Sequence, residues 1–206
     1  MKKMLAILFS LILCVSAMPA LATDAVSSAT VNVAAFPELT EQEDAKTLVI
    51  YFSTDDTVKA VALVAADALG ADVFEIVPEQ PYTAADLAYY TNGRCDQEQA
   101  DASSRPGIMN WPESLEQYDV VFIGYPIWHG QAPKIFYTLL EGIVLSGKTV
   151  VPFCTSMSSG AGSSATNLAK LTGDTTTWLK AERIANHATD EQIRTWALSV
   201  LDEATK

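Results

Sequence analysis

The chain has 206 residues and carries 25 acidic against 13 basic side chains, a formal charge of −12. That excess repels nucleic acid and anionic lipid, so neither is an expected partner. It keeps the protein soluble, and it would steer a basic protein toward it.

Residues 1–22 read as a secretory signal peptide. Lys2 and Lys3 precede an apolar run from Met4 to Ala17, and Ala20-Leu21-Ala22 supplies a small-residue cleavage site. The run is short for a transmembrane helix and no later segment has 18 unbroken apolar residues, so export without stable membrane insertion is expected. The destination would be the periplasm, the cell surface or the medium. Acylation at Cys14 is opposed by Leu13, which stands where a small residue is required. Cleavage would remove Lys2 and Lys3, leaving 11 bases against 25 acids and a charge of −14. Cys95 and Cys154 would remain, too few for a disulfide framework. Residues 23–45 lack periodicity and are rich in Ala, Ser, Thr and acids, as in a flexible leader. The folded domain is expected over 46–206.

Within that domain, strand-like runs alternate with helical patterns. Strands are predicted at 47–52, 72–77, 119–125, 148–153 and 181–185, several of them nearly continuous in Val, Ile and Phe, as strands covered on both faces are. Helices are predicted at 57–69, closed by Gly70, at 133–140, at 163–171 and at 189–204, where Thr189 and Gln192 form a capping pair. Five strands alternating with helices argue an α/β domain with a doubly wound parallel sheet in three layers. One connection departs from this rhythm. Residues 78–117 hold four prolines and three tyrosines, and connections of that length are usually functional or disordered. The aromatic content and local helical pieces favour an ordered cover over the sheet edge.

A doubly wound sheet binds its ligand at the carboxyl ends of the strands. Three loops matter there. The first, Ser53-Thr54-Asp55-Asp56-Thr57, stands where phosphate is commonly held, yet has two carboxylates and no glycine. In the second, Pro126, Gly130 and Pro133 fix a turn that carries Ile127, Trp128 and His129; Trp128 either walls a planar ring or caps the core. The third, Ser158 to Ser164, holds Gly160 and Gly162, which let backbone approach a ligand.

The runs YFS(x4)VKAVA, DVFEIVPEQPYTAADL, SSRPGI, YDVVFIGYPIWHGQAP, SGKTVVPFCTS and SGAGSS resemble the flavodoxin-like proteins, in the branch with a long second crossover and a GYPIWxGxxP element. The resemblance covers residues 47–185. It implies a five-stranded sheet of order 2-1-3-4-5 with FMN bound noncovalently at its carboxyl edge, for electron transfer or quinone-type reduction. It also implies roles. Ser53 and Thr57 would hold the phosphate; Pro126, Ile127, Trp128, His129 and Gly130 would line the isoalloxazine. Ser156 to Gly162, including Gly160, would meet the pyrimidine edge, and Tyr82 or Tyr90 would cover the ring.

The first loop departs from the family pattern S-x-T-G-x-T. Asp55 replaces the first Thr, Asp56 the Gly, and Val58 the last Thr. A carboxylate about 4 Å from a phosphate charge costs roughly 4 kcal/mol at an effective dielectric near 20, and far less if the carboxylates only cap the helix. Two readings therefore stand: an FMN redox protein, or a binding module that takes riboflavin, a quinone or no cofactor. A receiver-type magnesium pocket is disfavoured, because the third strand ends in Gly124-Tyr125-Pro126 rather than an aspartate. No G-x-S-x-G elbow or zinc-spaced cluster is present, and His129 and His187 are the sole histidines.

Overall fold

A computed structural model describes residues 45–206. The expected signal peptide and all but the last residue of the expected leader lie outside the described residues. The element order is β1 (Thr47–Tyr51), α1 (Thr57–Leu69), β2 (Asp72–Glu75), α2 (Arg94–Ala100), β3 (Val120–Pro126) and α3 (Ile135–Gly142). It continues with β4 (Thr149–Thr155), α4 (Ser164–Ala169), β5 (Thr177–Trp178), β6 (Glu182–Arg183) and α5 (Asp190–Ala204). All pairings are parallel, in the order β2-β1-β3-β4-β5, with β6 also on β4. The 2-1-3-4-5 sheet is therefore present.

Strand alternation builds two cores. Val49, Tyr51, Phe122, Val151 and Phe153 face α1 and α5, where Val58, Val61, Ala62, Ala65, Ile193 and Ala197 meet them. Leu48, Ile50, Phe52, Val121, Ile123 and Tyr125 face the other way, onto Ile135, Phe136 and Leu139 of α3 and Leu168 of α4. Every one of these strands is thus apolar on both faces, as buried parallel strands must be. The helix ends follow the sequence signals: Gly70 closes α1 in the left-handed conformation, and Thr189 and Gln192 form a full capping box on α5. The helix expected at 133–140 is shifted to Ile135–Gly142, and the one expected at 163–171 is shorter, Ser164–Ala169.

The fifth strand differs from expectation. In place of one run over 181–185, two short strands pair separately with β4, at Thr149↔Thr177 and Val150↔Trp178 and again at Phe153↔Glu182 and Cys154↔Arg183. Pro152 explains the break. Thr177 and Leu179 donate to Lys148 and Val150, and Ile184 donates to Cys154, so the even-numbered residues of β4 face the fifth strand. Pro152 is the even residue at the gap and has no N–H to offer, so the ladder lapses there.

The 78–117 crossover is ordered and covers the α3 side of the sheet. Pro78 bridges Ile108, Glu79 N–H donates to the Gly107 carbonyl, and the Asn110 side chain bonds the backbone of Glu75 and Val77 at the end of β2. Cys95, Ile108 and Leu115 are buried in the same core as α3. Cys95 and Cys154 are free thiols, and burial pushes each up to about 12. Both are inert by that measure.

Candidate functional site

The first loop leaves β1 and turns into α1 through Asp56, a non-glycine residue at φ 61°. Ser53 Oγ accepts from the Lys59 N–H at 3.4 Å, and Asp55 Oδ1 accepts from the Thr57 N–H at 3.2 Å. The protein thus satisfies the opening turn of α1 with its own side chains. Lys59 pairs with Glu75 at 3.3 Å, and Tyr51 donates to the same carboxylate at 2.8 Å. Left-handed backbone strains an L-residue at Asp56. Asp56→Gly is therefore expected to stabilise the protein by about 1 kcal/mol, read as a higher urea midpoint at unchanged slope. An unchanged or lower midpoint would show that the turn is unstrained.

The second loop is a two-residue hairpin. Trp128 and Gln131 exchange both backbone hydrogen bonds at 2.9 Å, and the tip residues His129 and Gly130 lie at φ 47° and 76°. This is the primed turn that demands positive φ at both tip positions, which Gly130 meets without strain. Helix α2 holds the hairpin from behind. Gln99 donates to the Trp128 and Ala132 carbonyls at 3.0 and 3.2 Å and accepts from the Lys134 N–H at 3.1 Å. Asp96 Oδ1 lies 2.8 Å from His129 Nε2. The Tyr89 ring sits 4.6 Å from the His129 ring, and its hydroxyl donates to the Ile127 carbonyl at 3.3 Å.

Burial pushes the Asp96 carboxyl upward, but backbone donors from Tyr90, Asn92 and Thr91 together with His129 hold it, on balance, below its ordinary 3.8. Hydrogen bonds from Thr83 and from Ser103 likewise depress Asp86 and Asp101, and the Arg105 fork depresses Glu141. These groups fasten the crossover to itself and to α3. A carboxylate with a depressed folded value adds stability above its unfolded value and loses it as pH falls through the folded one. Acidification from about pH 5 to about pH 2 is therefore expected to loosen residues 83–105. Amide exchange that rises there before it rises in β1 and β3 is the expected result; uniform exchange would oppose it.

The third loop follows β4. Arg183 of β6 donates to Ser156 Oγ at 3.0 Å and to the Ser156 carbonyl at 2.8 Å, while Ser156 Oγ itself donates to the Ser159 carbonyl.

The three loops enclose a cavity of about 610 Å³. Thr54, Asp55 and Thr57 line it from the first loop, Pro126 to Gly130 from the second, and Thr155 to Ser159 from the third. Leu87, Tyr89 and Tyr90 of the crossover and Asn186 complete it. Tyr90 and Met157, 89% and 92% exposed, stand among the lining residues as uncovered apolar groups. Of the residues proposed from sequence, Thr57, Pro126, Ile127, Trp128, His129, Gly130 and Ser156 line this space. Ser53 is turned to the helix amide, and Gly160 and Gly162 fall outside the lining. Tyr82 is also outside it: it packs against Phe52 and Trp128, hydrogen-bonds Glu98 at 2.6 Å and carries the Arg94 guanidinium 4.1 Å from its ring centre. Trp128 is 5% exposed and edge-on to Phe52 and Tyr82, so most of it belongs to the core.

Tyr89, Gln99, Arg183 and Asn186 were not among the candidates. Each reaches the site across the sequence, which leaves no local signal. The lining holds an aromatic edge and backbone amides for a planar ring, one carboxylate and no lysine or arginine. Among the described residues no cluster of three or more His, Cys, Asp or Glu could hold a metal, and no helix is long and apolar enough to cross a membrane.

Comparison with known proteins agrees with this architecture. The family model Flavodoxin_4, described as flavodoxin, matches residues 46–200. No curated protein matches the chain. Two crystal structures, each named a "putative flavoprotein", are similar to it. One, from Bacteroides eggerthii DSM 20697, is 44% identical over 77% of this chain and 98% of its own, with a TM-score of 0.69. The other, from Bacteroides uniformis ATCC 8492, is 36% identical over 75% and 98%, with a TM-score of 0.70. A Lactobacillus acidophilus NCFM flavoprotein in complex with FMN shares the fold at 19% identity, over 79% and 99% of the two chains, with a TM-score of 0.56. With a doubly wound 2-1-3-4-5 sheet and a family match over residues 46–200, the chain belongs to the flavodoxin family.

Proposed function

We propose that the cavity at the carboxyl edge of β1, β3 and β4 holds the planar ring of a flavin, and that the protein serves electron transfer or quinone-type reduction. The observation that carries this reading is the convergence of three loops, the second and third fastened by Gln99 and Arg183 from distant parts of the chain, on one space of about 610 Å³ with aromatic side chains at its wall and mouth. That volume lies within the range of about 300–1,000 Å³ typical of small-molecule sites. The names of the two Bacteroides relatives and the FMN complex of the Lactobacillus protein support it.

The residues present fit the ring and do not fit the phosphate. Ile127, Trp128 and Gly130 would meet the ring on one side, Ser156 to Ser159 at an edge, and Tyr89 and Tyr90 would shield it from water. A bound flavin supplies the redox step; the chain's part is to bind, orient and shield it. Export through residues 1–22 and a basic redox partner steered by the charge of −14 left after cleavage belong to the same proposal. Titration of the purified protein with riboflavin should quench flavin fluorescence at micromolar concentration, and an unquenched signal would count against a flavin site.

A further inference from the structure

We infer that Asp55 makes this site selective for flavins that lack a phosphate, of which riboflavin is the simplest. The inference rests on the flavin reading above and deepens it. Where a phosphate-bearing cofactor needs free N–H donors at the start of α1, the Thr57 N–H already donates to Asp55 Oδ1 at 3.2 Å and the Lys59 N–H to Ser53 Oγ at 3.4 Å. Asp55 lines the cavity while its Oδ1 stays on the Thr57 N–H, so a carboxylate occupies the helix-start corner of that space. No lysine or arginine lines that space to neutralise it, and the nearby Lys59 is engaged by Glu75 at 3.3 Å. A phosphate brought to this corner would meet a carboxylate in place of donors, and like charges at such range repel.

The same carboxylate suits a phosphate-free side chain. A carboxylate only accepts hydrogen bonds, and among the described residues Asp55 Oδ2 receives none. The hydroxyls of a ribityl chain are donors of the required kind. Asp55 thus takes over the helix amide that a phosphate oxygen would use, and turns its second oxygen into an acceptor for an uncharged polyol.

Titrations of the full protein with riboflavin and with FMN, at low and high salt, test this. Riboflavin is expected to bind at least about tenfold more tightly than FMN, and the FMN affinity should rise with salt because screening relieves repulsion. Asp55→Asn keeps the shape and the acceptor for the Thr57 N–H while removing the charge. It should tighten FMN at least about tenfold and weaken riboflavin severalfold, with the unfolding midpoint retained. Tighter binding of FMN than of riboflavin to the unaltered protein, or an FMN affinity that falls with salt, would overturn the inference and leave the flavin site standing. Binding of neither flavin would overturn both. The salt arm needs no variant, so the inference stays testable should Asp55→Asn fail to fold.

Discussion

Gly124→Ala should be among the most damaging single changes in this protein, although it adds one methyl group to a strand. A Cβ at Gly124 would lie 2.2, 2.6 and 2.8 Å from Cζ, Cε2 and Cε1 of Phe153, distances that real side chains do not tolerate. Phe153 cannot yield cheaply. It is fully buried beside Gly124 in the β3·β4 register, and the Trp196 ring of α5 stands edge-on to it at 5.5 Å. Overpacking a rigid core site of this kind costs about 3 kcal/mol, which lowers Tm by roughly 6–12 °C for a domain of this size. Shrinking the obstacle should restore much of the loss, so Gly124→Ala combined with Phe153→Leu is expected to be more stable than the sum of the two changes implies. A variant within about 0.5 kcal/mol of the parent would mean that the ring moves freely.

Trp128→Ala should cost still more, for a reason that resolves the two sequence readings of this residue. Its ring fills the space between Phe52 and Tyr82, at 5.6 and 5.0 Å, and it is 5% exposed. Truncating a buried tryptophan costs about 3–5 kcal/mol. The loss should appear in the protein without ligand, by urea or heat. It should also abolish flavin quenching, since the same residue lines the cavity and the hairpin it anchors carries Ile127 and His129. Trp128→Phe keeps an aromatic body and is expected to retain most of the stability while weakening ring binding. An unfolding midpoint for Trp128→Ala equal to that of the parent would show that Trp128 is a wall alone.

These residues also mark how far the fold and the site were legible in the sequence. Apolar runs such as Leu48 to Phe52 identify strands buried on both faces, and Gly70 and the Thr189/Gln192 pair place helix ends through local chemistry. Helix α2 escaped a firm assignment because its seven residues bury Cys95 alone and so show no periodicity. Of the fifth strand only the Glu182–Arg183 half falls within the expected 181–185; the Thr177–Trp178 half has two residues and no pattern of its own, and the cause of the break, Pro152, lies in a neighbouring strand. In the site, the Pro126 to Gly130 turn was readable from its own composition, and the two aspartates of the first loop marked a departure from the family's loop pattern. The anchors were not readable. Gln99 and Arg183 act over 29 and 27 residues of sequence on backbone carbonyls, and a carbonyl has no residue type for a pattern to detect.

The central claim is that a flavin ring sits among the loops after β1, β3 and β4, and amide chemical-shift mapping tests it most directly. Riboflavin added to the isotopically labelled protein should shift Ile127 to Gly130, Thr155 to Ser159 and Thr54 to Thr57 as one saturating set, with Tyr89 and Tyr90 following. Shifts confined to another surface, such as the hollow beside Leu179 and Trp196 on α5, or no saturating shifts at all, would contradict it.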